Sequence, residues 1–366
     1  MKKEILQNYI LLMLSMKPKG KAVDFNHIKE KVERDLKIKE RKEVEEVLNQ
    51  LISLGYINFK NGLYSASEKG REYFSKILPK IEKDLEKINK TWLIVYKSKK
   101  YYPIVKDVIL EFCKNRHVGF YCLFTQKRFF RRDWKGKKIV IKSWKDLEFF
   151  VNIHCIDIIP CVHQINKEKP DWLVIDIDAG SLVPFEKVKE VTRVVYEIME
   201  NLELNPKIKF SGSRGFQVWS WIKDFKIPES YVPLKLKSER KREKNYFTLF
   251  SDFVRIIQKE VDKKIPNLTT SEISERQKRE DKILLDPSSM KKNGLVRAPY
   301  SIHSKTGLIS LPIEINEIDK FEVSQAKIEN GIERFKERGN EFKLKEANPS
   351  KLLELVTFKS IKDLIG

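Results

Sequence analysis

The chain has 366 residues, 41% of them apolar, with 73 Lys and Arg against 52 Asp and Glu and a net charge of +21. That apolar share excludes a disordered chain, and the length predicts two or three packed units. Positive charge in this excess points to a polyanionic partner, nucleic acid above all, with a lysine-rich proteome as the plainer alternative.

Four cysteines are too few for a disulfide framework, which predicts a reducing compartment. The opening "MKKEILQNYILLMLSMKPKG" is interrupted by Gln7 and Asn8 and shows no small-residue cleavage site. No stretch reaches the ~18 apolar residues of a membrane span, so a soluble, cytoplasmic protein without a membrane partner is expected.

Ile5, Ile10, Leu11, Leu12 and Met13 predict a first helix, and Phe25, Ile28 and Val32 a second. The stretch 40–57 predicts a third, with Val44, Val47, Leu48, Leu51 and Leu54 on one face and Gly55 as its C-cap. "YINFKNGLYSAS" reads as two short strands around the turn Asn61-Gly62. Three helices and a hairpin over residues 1–75 resemble a winged helix-turn-helix module, which implies DNA binding or protein contacts. Residues 76–100, a charged helical pattern, read as a connector. From 101 to 315 strands and helices alternate, predicting an α+β, or mixed α/β, domain. Residues 316–366 read as a C-terminal helical segment.

The segment 126–145, "QKRFFRRDWKGKKIVIKSWK", carries nine Lys or Arg against one Asp, with Phe129, Phe130, Trp134 and Trp144 interleaved. Basic side chains for phosphate and rings for stacking suit a nucleic-acid path, with Lys127, Arg128, Arg131 and Arg132 as contacts. The alternative is a solvated hairpin with the rings in a core. The basic run at 233–244 has no rings within it and reads as a mobile loop.

In "DWLVIDIDAG" an apolar strand ends in Asp176 and Asp178. Residues two apart on a strand share a face, so both carboxylates enter one space, where a divalent cation would relieve their repulsion. An acidic strand end facing solvent is the other reading. "KILLDPSS" brings a third acid, Asp286, which could equally start a turn before Pro287. In 294–313, "GLVRAPYSIHSKTGLISLPI", Arg297, Ser301, His303 and Lys305 fall at odd positions; a strand would set them in one row suited to an anion such as a triphosphate, with Pro299 marking a bulge or edge, and a half-exposed strand with a polar solvent face is the other reading.

Taken in order, "VIDID" (174–178), "FSGSRGFQV" (210–218), "LLD" (284–286) and "VRAPYSIHSKTGLISLPI" (296–313) resemble the archaeo-eukaryotic primase superfamily. The last is close to primase small subunits; "NIHCIDIIP" (152–160) and "KPDWLVIDIDAGSLVPFEKV" (169–188) are closer to the polymerase domain of bacterial end-joining ligases. The resemblance covers roughly 105–315. It implies that Asp176, Asp178 and Asp286 bind two Mg²⁺ or Mn²⁺ ions. Ser211, Ser213, Arg214, Arg297, Ser301, His303 and Lys305 would hold the triphosphate of an incoming nucleotide. Gln217 stands where the family loop usually has histidine, which implies a weaker phosphate contact.

The implied reaction is template-directed synthesis of RNA or DNA from nucleoside triphosphates on single-stranded or gapped DNA, with a primase large subunit or another replication or repair protein as partner. A catalytically weak scaffold relative and a metal-dependent nuclease are the alternatives. Cys113, His117, Cys122, His154, Cys155, Cys161 and His163 crowd one region. Their spacings match no familiar zinc pattern, so buried free cysteines are expected ahead of a structural zinc.

Overall fold

The computed structural model describes residues 2–124, 127–236 and 242–365. Gln126 of the basic stretch and residues 237–241 of the second basic run lie outside them. Two compact units emerge: residues 1–104, 121–129 and 147–156 form one, and residues 105–120, 130–146 and 157–366 the other.

The first unit begins with α1 (Lys2–Ser15), β1 (Val23–Asp24), α2 (Phe25–Leu36), α3 (Arg41–Ser53), β2 (Ile57–Lys60) and β3 (Leu63–Ala66). Asp24 starts α2 by accepting from the His27 amide at 2.8 Å. Asn61 and Gly62, both at positive φ, close the β2–β3 hairpin in the conformation that such a turn requires. β1 joins the hairpin to make a three-stranded antiparallel sheet in the order β1-β3-β2.

A long helical stretch, α4 (Glu68–Cys113), follows and breaks at Asn89, whose backbone is not helical. The Asn89 side chain caps the second half by accepting from the Trp92 amide and donates to the Asp35 carboxylate. Residues 76–100 are therefore part of the core: Leu78, Leu85, Trp92, Leu93 and Tyr96 are buried in the same cluster as Tyr9, Ile10, Val47 and Leu51.

β4 (Val118–Phe124) pairs with β5 (Lys127–Arg131) on one side and β8 (Cys155–Pro160) on the other; β6 (Asp133–Trp134), β7 (Lys137–Lys138) and α5 (Trp144–Asn152) lie between β5 and β8 in sequence. Cys122 and Cys155 form a disulfide across β4 and β8, which corrects the expectation of free thiols: strand pairing sets their Cα atoms 3.8 Å apart. Cys113 and Cys161 are separate buried thiols.

The second unit is built on β9 (Trp172–Ala179), α6 (Phe185–Asn201), β10 (Lys207–Phe210), β11 (Phe216–Ile222), α7 (Tyr246–Lys264), β12 (Thr269–Thr270), α8 (Ile273–Lys278), β13 (Ile283–Asp286), β14 (Pro312–Ile313), α9 (Ile328–Arg338), β15 (Glu346–Ala347) and α10 (Ser350–Ile365). One sheet runs β12-β13-β9-β11-β10-β14, with β15 added at the end of β11. The central strands β9 and β11 are buried over most of their length and largely apolar, apart from the acids and Gln217 on one face, and α6 and α7 bury their apolar stripes.

The alternating segment 294–313 is not the strand its pattern suggested. Val296 and Ala298 donate to Pro160 and Ile158, but Pro299 and a left-handed Tyr300 (φ 63°) then turn the chain. It folds back on itself, with Ser310 donating to Ser301 and His303 to Leu308. Pro lacks an amide and positive φ is foreign to a strand, so the single row of polar side chains does not form.

Candidate active site

Cross-strand register places the acids. β13 pairs antiparallel with β9 so that Asp286 lies opposite Asp176, and β11 pairs on the other side so that Gln217 also lies opposite Asp176. Lys209 on β10 lies opposite Gln217. Directly opposed residues share a face with Cβ atoms ~4.5–5.5 Å apart, so Lys209, Gln217, Asp176 and Asp286 make one row across four strands. Asp178, two residues on from Asp176, is on the same face and half exposed.

Asp176 is half-buried. Burial and then the charge of Asp286 push its carboxyl up to about 6, opposed by a hydrogen bond from Gln217. Gln217, 5% exposed, accepts from the Trp219 indole N–H at 3.2 Å, which orients its amide donor toward Asp176. Burial likewise raises the Asp178 carboxyl, against the pull of Arg276 and Arg214. Asp286 accepts from both the amide and the hydroxyl of Ser288 at 2.8 Å, so it starts a turn before Pro287 and also faces Asp176. Lys209 is wholly buried and its ammonium donates to Ser310 Oγ at 2.6 Å. Burial and then Arg297 depress its pKa, while Asp176 and Asp157 oppose them.

The loop 211–215 stands at the end of this row. Ser211 Nα–H donates to the Gly215 carbonyl at 2.9 Å, and Ser211 Oγ accepts the more distant amides of Ser213 and Gly215. Gly215 is required: a Cβ there would lie 1.9 Å from the Ile177 carbonyl oxygen. Gly212, at φ 87°, would bring a Cβ to 2.8 Å from His303 Cβ, so this loop packs directly on the 303–308 turn. Thr306 Oγ1 donates to the Gly212 carbonyl at 2.6 Å and locks the two together. Arg214 is exposed at the tip, Ser213 half-buried and Lys305 exposed.

Beneath both loops lies Asp157 on β8, which sequence reasoning passed over. It is fully buried and accepts from Arg297 at 2.7 and 3.0 Å and from the amide and hydroxyl of Ser304 at 3.0 Å. Burial raises its carboxyl, but Arg297 outweighs that and holds it low. Arg297 also donates to the Ser211 carbonyl at 2.9 Å. Ser301, fully buried, accepts from the Ile158 amide at 2.7 Å. Arg297 and Ser301 thus tie the two loops to β8. His303 Nδ1 accepts from the amides of Lys305 and Thr306 at 3.3 and 3.2 Å, which puts its ring proton on Nε2. The sequence signal for Asp157 was there, a lone charge inside the apolar strand Cys155–Pro160, whereas Lys209 shares its short strand with Lys207 and does not stand out.

Lys127, Arg128, Arg131 and Arg132 lie on or just after β5, where only Arg131 is partly buried. Phe129 and Phe130 are more than a third exposed and so are not core residues. Arg128 lies 4.5 Å over the Tyr121 ring, Arg131 5.1 Å over Trp134 and Arg132 5.3 Å over Phe130. Among the described residues no three His, Cys, Asp or Glu side chains form a ready-made metal cage. The paired Asp176 and Asp286, with Asp178 one pleat along, nevertheless supply the oxygen donors that hard divalent cations take, and burial, with the neighbouring carboxylates adding to it, raises the carboxyls of Asp176 and Asp178.

The fold has solved counterparts. The polymerase domain of Mycobacterium tuberculosis ligase D, determined in complex with DNA, aligns with a TM-score of 0.55 at 17% identity, over 66% of this chain and 88% of that one. Among curated proteins, an uncharacterised protein of Methanocaldococcus jannaschii is 31% identical over 157 residues, 41% of this chain and 30% of the relative. The multifunctional non-homologous end joining protein LigD of Pseudomonas aeruginosa is 25% identical over 158 residues, 43% of this chain and 16% of that protein. The DNA primase small subunit PriS of Pyrobaculum aerophilum is 31% identical over 144 residues, 36% and 44% respectively. The chain therefore spans less than half the length of these curated relatives. A family model, the LigD primase-polymerase domain, matches residues 112–342, well over half of the chain and the whole of the Asp176 row with its two loops, and the protein belongs to that family.

Proposed function

We propose that the chain is a metal-dependent nucleotidyltransferase that extends RNA or DNA on a single-stranded or gapped template. The observation that carries this reading is the cross-strand pair Asp176–Asp286, with Asp178 on the same face, beside a glycine-bearing loop tipped by Arg214. Asp176, Asp178 and Asp286 would hold Mg²⁺ or Mn²⁺, which supply positive charge to the reacting phosphate and the attacking hydroxyl. Ser213, Arg214, His303 and Lys305 would bind the triphosphate of the incoming nucleotide, with Ser211, Arg297 and Ser301 holding the loops that carry them. Gln217 keeps Asp176 ionised and oriented. No side chain is needed as a nucleophile, because positioning and electrostatics carry phosphoryl transfer.

Lys127, Arg128, Arg131 and Arg132, with their exposed rings, would bind the template or primer. The N-terminal helices and hairpin would act as a winged helix-turn-helix module, for nucleic acid or a replication or repair partner such as a primase large subunit. These readings draw support from the printed names of the relatives, a primase subunit and an end-joining protein, and from a fold neighbour solved with DNA.

The test is primer extension by the purified chain with each nucleotide type and Mg²⁺ or Mn²⁺, beside Asp176→Ala. Incorporation lost in the variant is expected. No incorporation under any condition would leave a nucleic-acid-binding relative, and template degradation would point to a nuclease.

A further inference from the structure

Helix α1 ends at Ser15, and its terminal carbonyls attract cations as helix C-termini do. Arg71 Nη1 donates to the Ser15 carbonyl at 2.6 Å and Lys99 Nζ to the Met16 carbonyl at 2.7 Å. Those bonds account for one arm of the guanidinium and one ammonium only. Arg71 Nη2, Ser15 Oγ and the Tyr96 hydroxyl are all buried without a hydrogen bond of normal geometry in the protein, although the Ser75 hydroxyl lies near Tyr96 and acts on it. Ser15 is 7% and Tyr96 4% exposed. Buried donors without a well-formed bond are rare, and three close together in the N-terminal unit call for an acceptor.

Charge gathers at the same place. Lys100 lies 4.8 Å over the Tyr96 ring and donates to Ser75 Oγ at 2.7 Å. Among the described residues none of Lys17, Arg71, Lys99 and Lys100 has a carboxylate within ion-pair distance; Glu68, the acid acting on Arg71, is paired with Lys19 at 3.0 Å. Burial and then Lys17 and Arg71 push Lys99 down to about 8, and Lys17, Lys100 and Arg71 are lowered as well, chiefly by burial. Helix capping alone would not collect four cations and three donors without well-formed bonds around two carbonyls.

We propose that Ser15, Lys17, Arg71, Tyr96, Lys99 and Lys100 form a phosphate-binding site within the N-terminal unit, which takes a phosphate group of a nucleic-acid strand. Two hydroxyls, a guanidinium arm and three ammonium groups are the donors that a tetrahedral oxyanion accepts. The nucleic-acid source rests on the function proposed above, whereas the site itself does not; free phosphate offers the same chemistry.

The test uses the full chain, Tyr96→Phe and Lys17→Met/Lys99→Met, each first shown to unfold cooperatively in chloride. Inorganic phosphate, titrated at constant ionic strength, should raise the unfolding midpoint of the unaltered chain, and both variants should lose at least half of that rise. Fluorescence anisotropy with a single-stranded oligonucleotide should show the lysine variant losing about one from the slope of log affinity against log salt. A phosphate response abolished by the variants with the slope unchanged assigns the site to free phosphate. Variants that match the unaltered chain in both measurements overturn the proposal. Primer extension by Asp176→Ala is run alongside, because its outcome bears on the catalytic reading and not on this site.

Discussion

Replacing Gln217 with Met keeps the volume of the side chain and removes its donor to Asp176. A hydrogen bond to a charged group is worth roughly 1.5–3 kcal/mol, and Gln217 is too buried for water to substitute. At 1.36 kcal/mol per unit, the Asp176 carboxyl should rise by about one to two units from its starting value of about 6. At pH 7 the ionised fraction would fall from about nine-tenths to between roughly a half and a tenth. The folded pKa of Asp176 lies above its unfolded value of about 3.9, so protonation favours the folded state. In chelator, stability should therefore fall as pH rises from about 4 to about 6, and in Gln217→Met the fall should continue to about 7 or 8. Primer extension should lose its acid side one to two units earlier and recover in alkaline buffer. Urea unfolding and extension rates across pH 5–9 measure both. A uniform loss at every pH would mean that the variant acts only by leaving the Trp219 indole unpaired, and would refute the role given to Gln217.

Other expectations follow from the same geometry. Asp176→Asn should abolish extension yet stabilise the metal-free protein at pH 7 by up to about 3 kcal/mol, read from urea midpoints, since a half-buried charge is removed. Arg297→Met should cost about 3–5 kcal/mol, because it leaves Asp157 charged and enclosed; Asp157 holds its proton weakly when folded, so its contribution should be lost as pH falls below about 4. Gly215→Ala should destabilise by at least about 2 kcal/mol, because its methyl would meet the Ile177 carbonyl. Arg214→Ala, at an exposed loop tip, should leave the unfolding midpoint unchanged and raise the nucleotide KM about tenfold.

Much of this protein is legible in local pattern. Helix periodicity marked α2 and α3, Asn61-Gly62 marked a hairpin, and Asp-x-Asp at the end of an apolar run marked the acids of β9. Those signals are short-range: propensity, alternation and turn chemistry act over a few residues, and the order of four motifs was enough to identify the family.

What the chain could not declare by itself depends on register between distant strands. Asp286 faces Asp176, and Gln217 faces it from the other side, only because β13 and β11 pair at those positions. Asp157 stands out as a lone charge in an apolar strand, but its role emerges only when Arg297, 140 residues later, meets it. Alternation made 294–313 look like a strand, but Pro299 and the contacts of Ser301 and Tyr300 override it, since tertiary hydrogen bonds outweigh a weak local preference. Cys122 and Cys155, 33 residues apart, bond because their strands are neighbours. Local chemistry chose the residue types of the site; the pairing of strands far apart in sequence decided which of them act on one another.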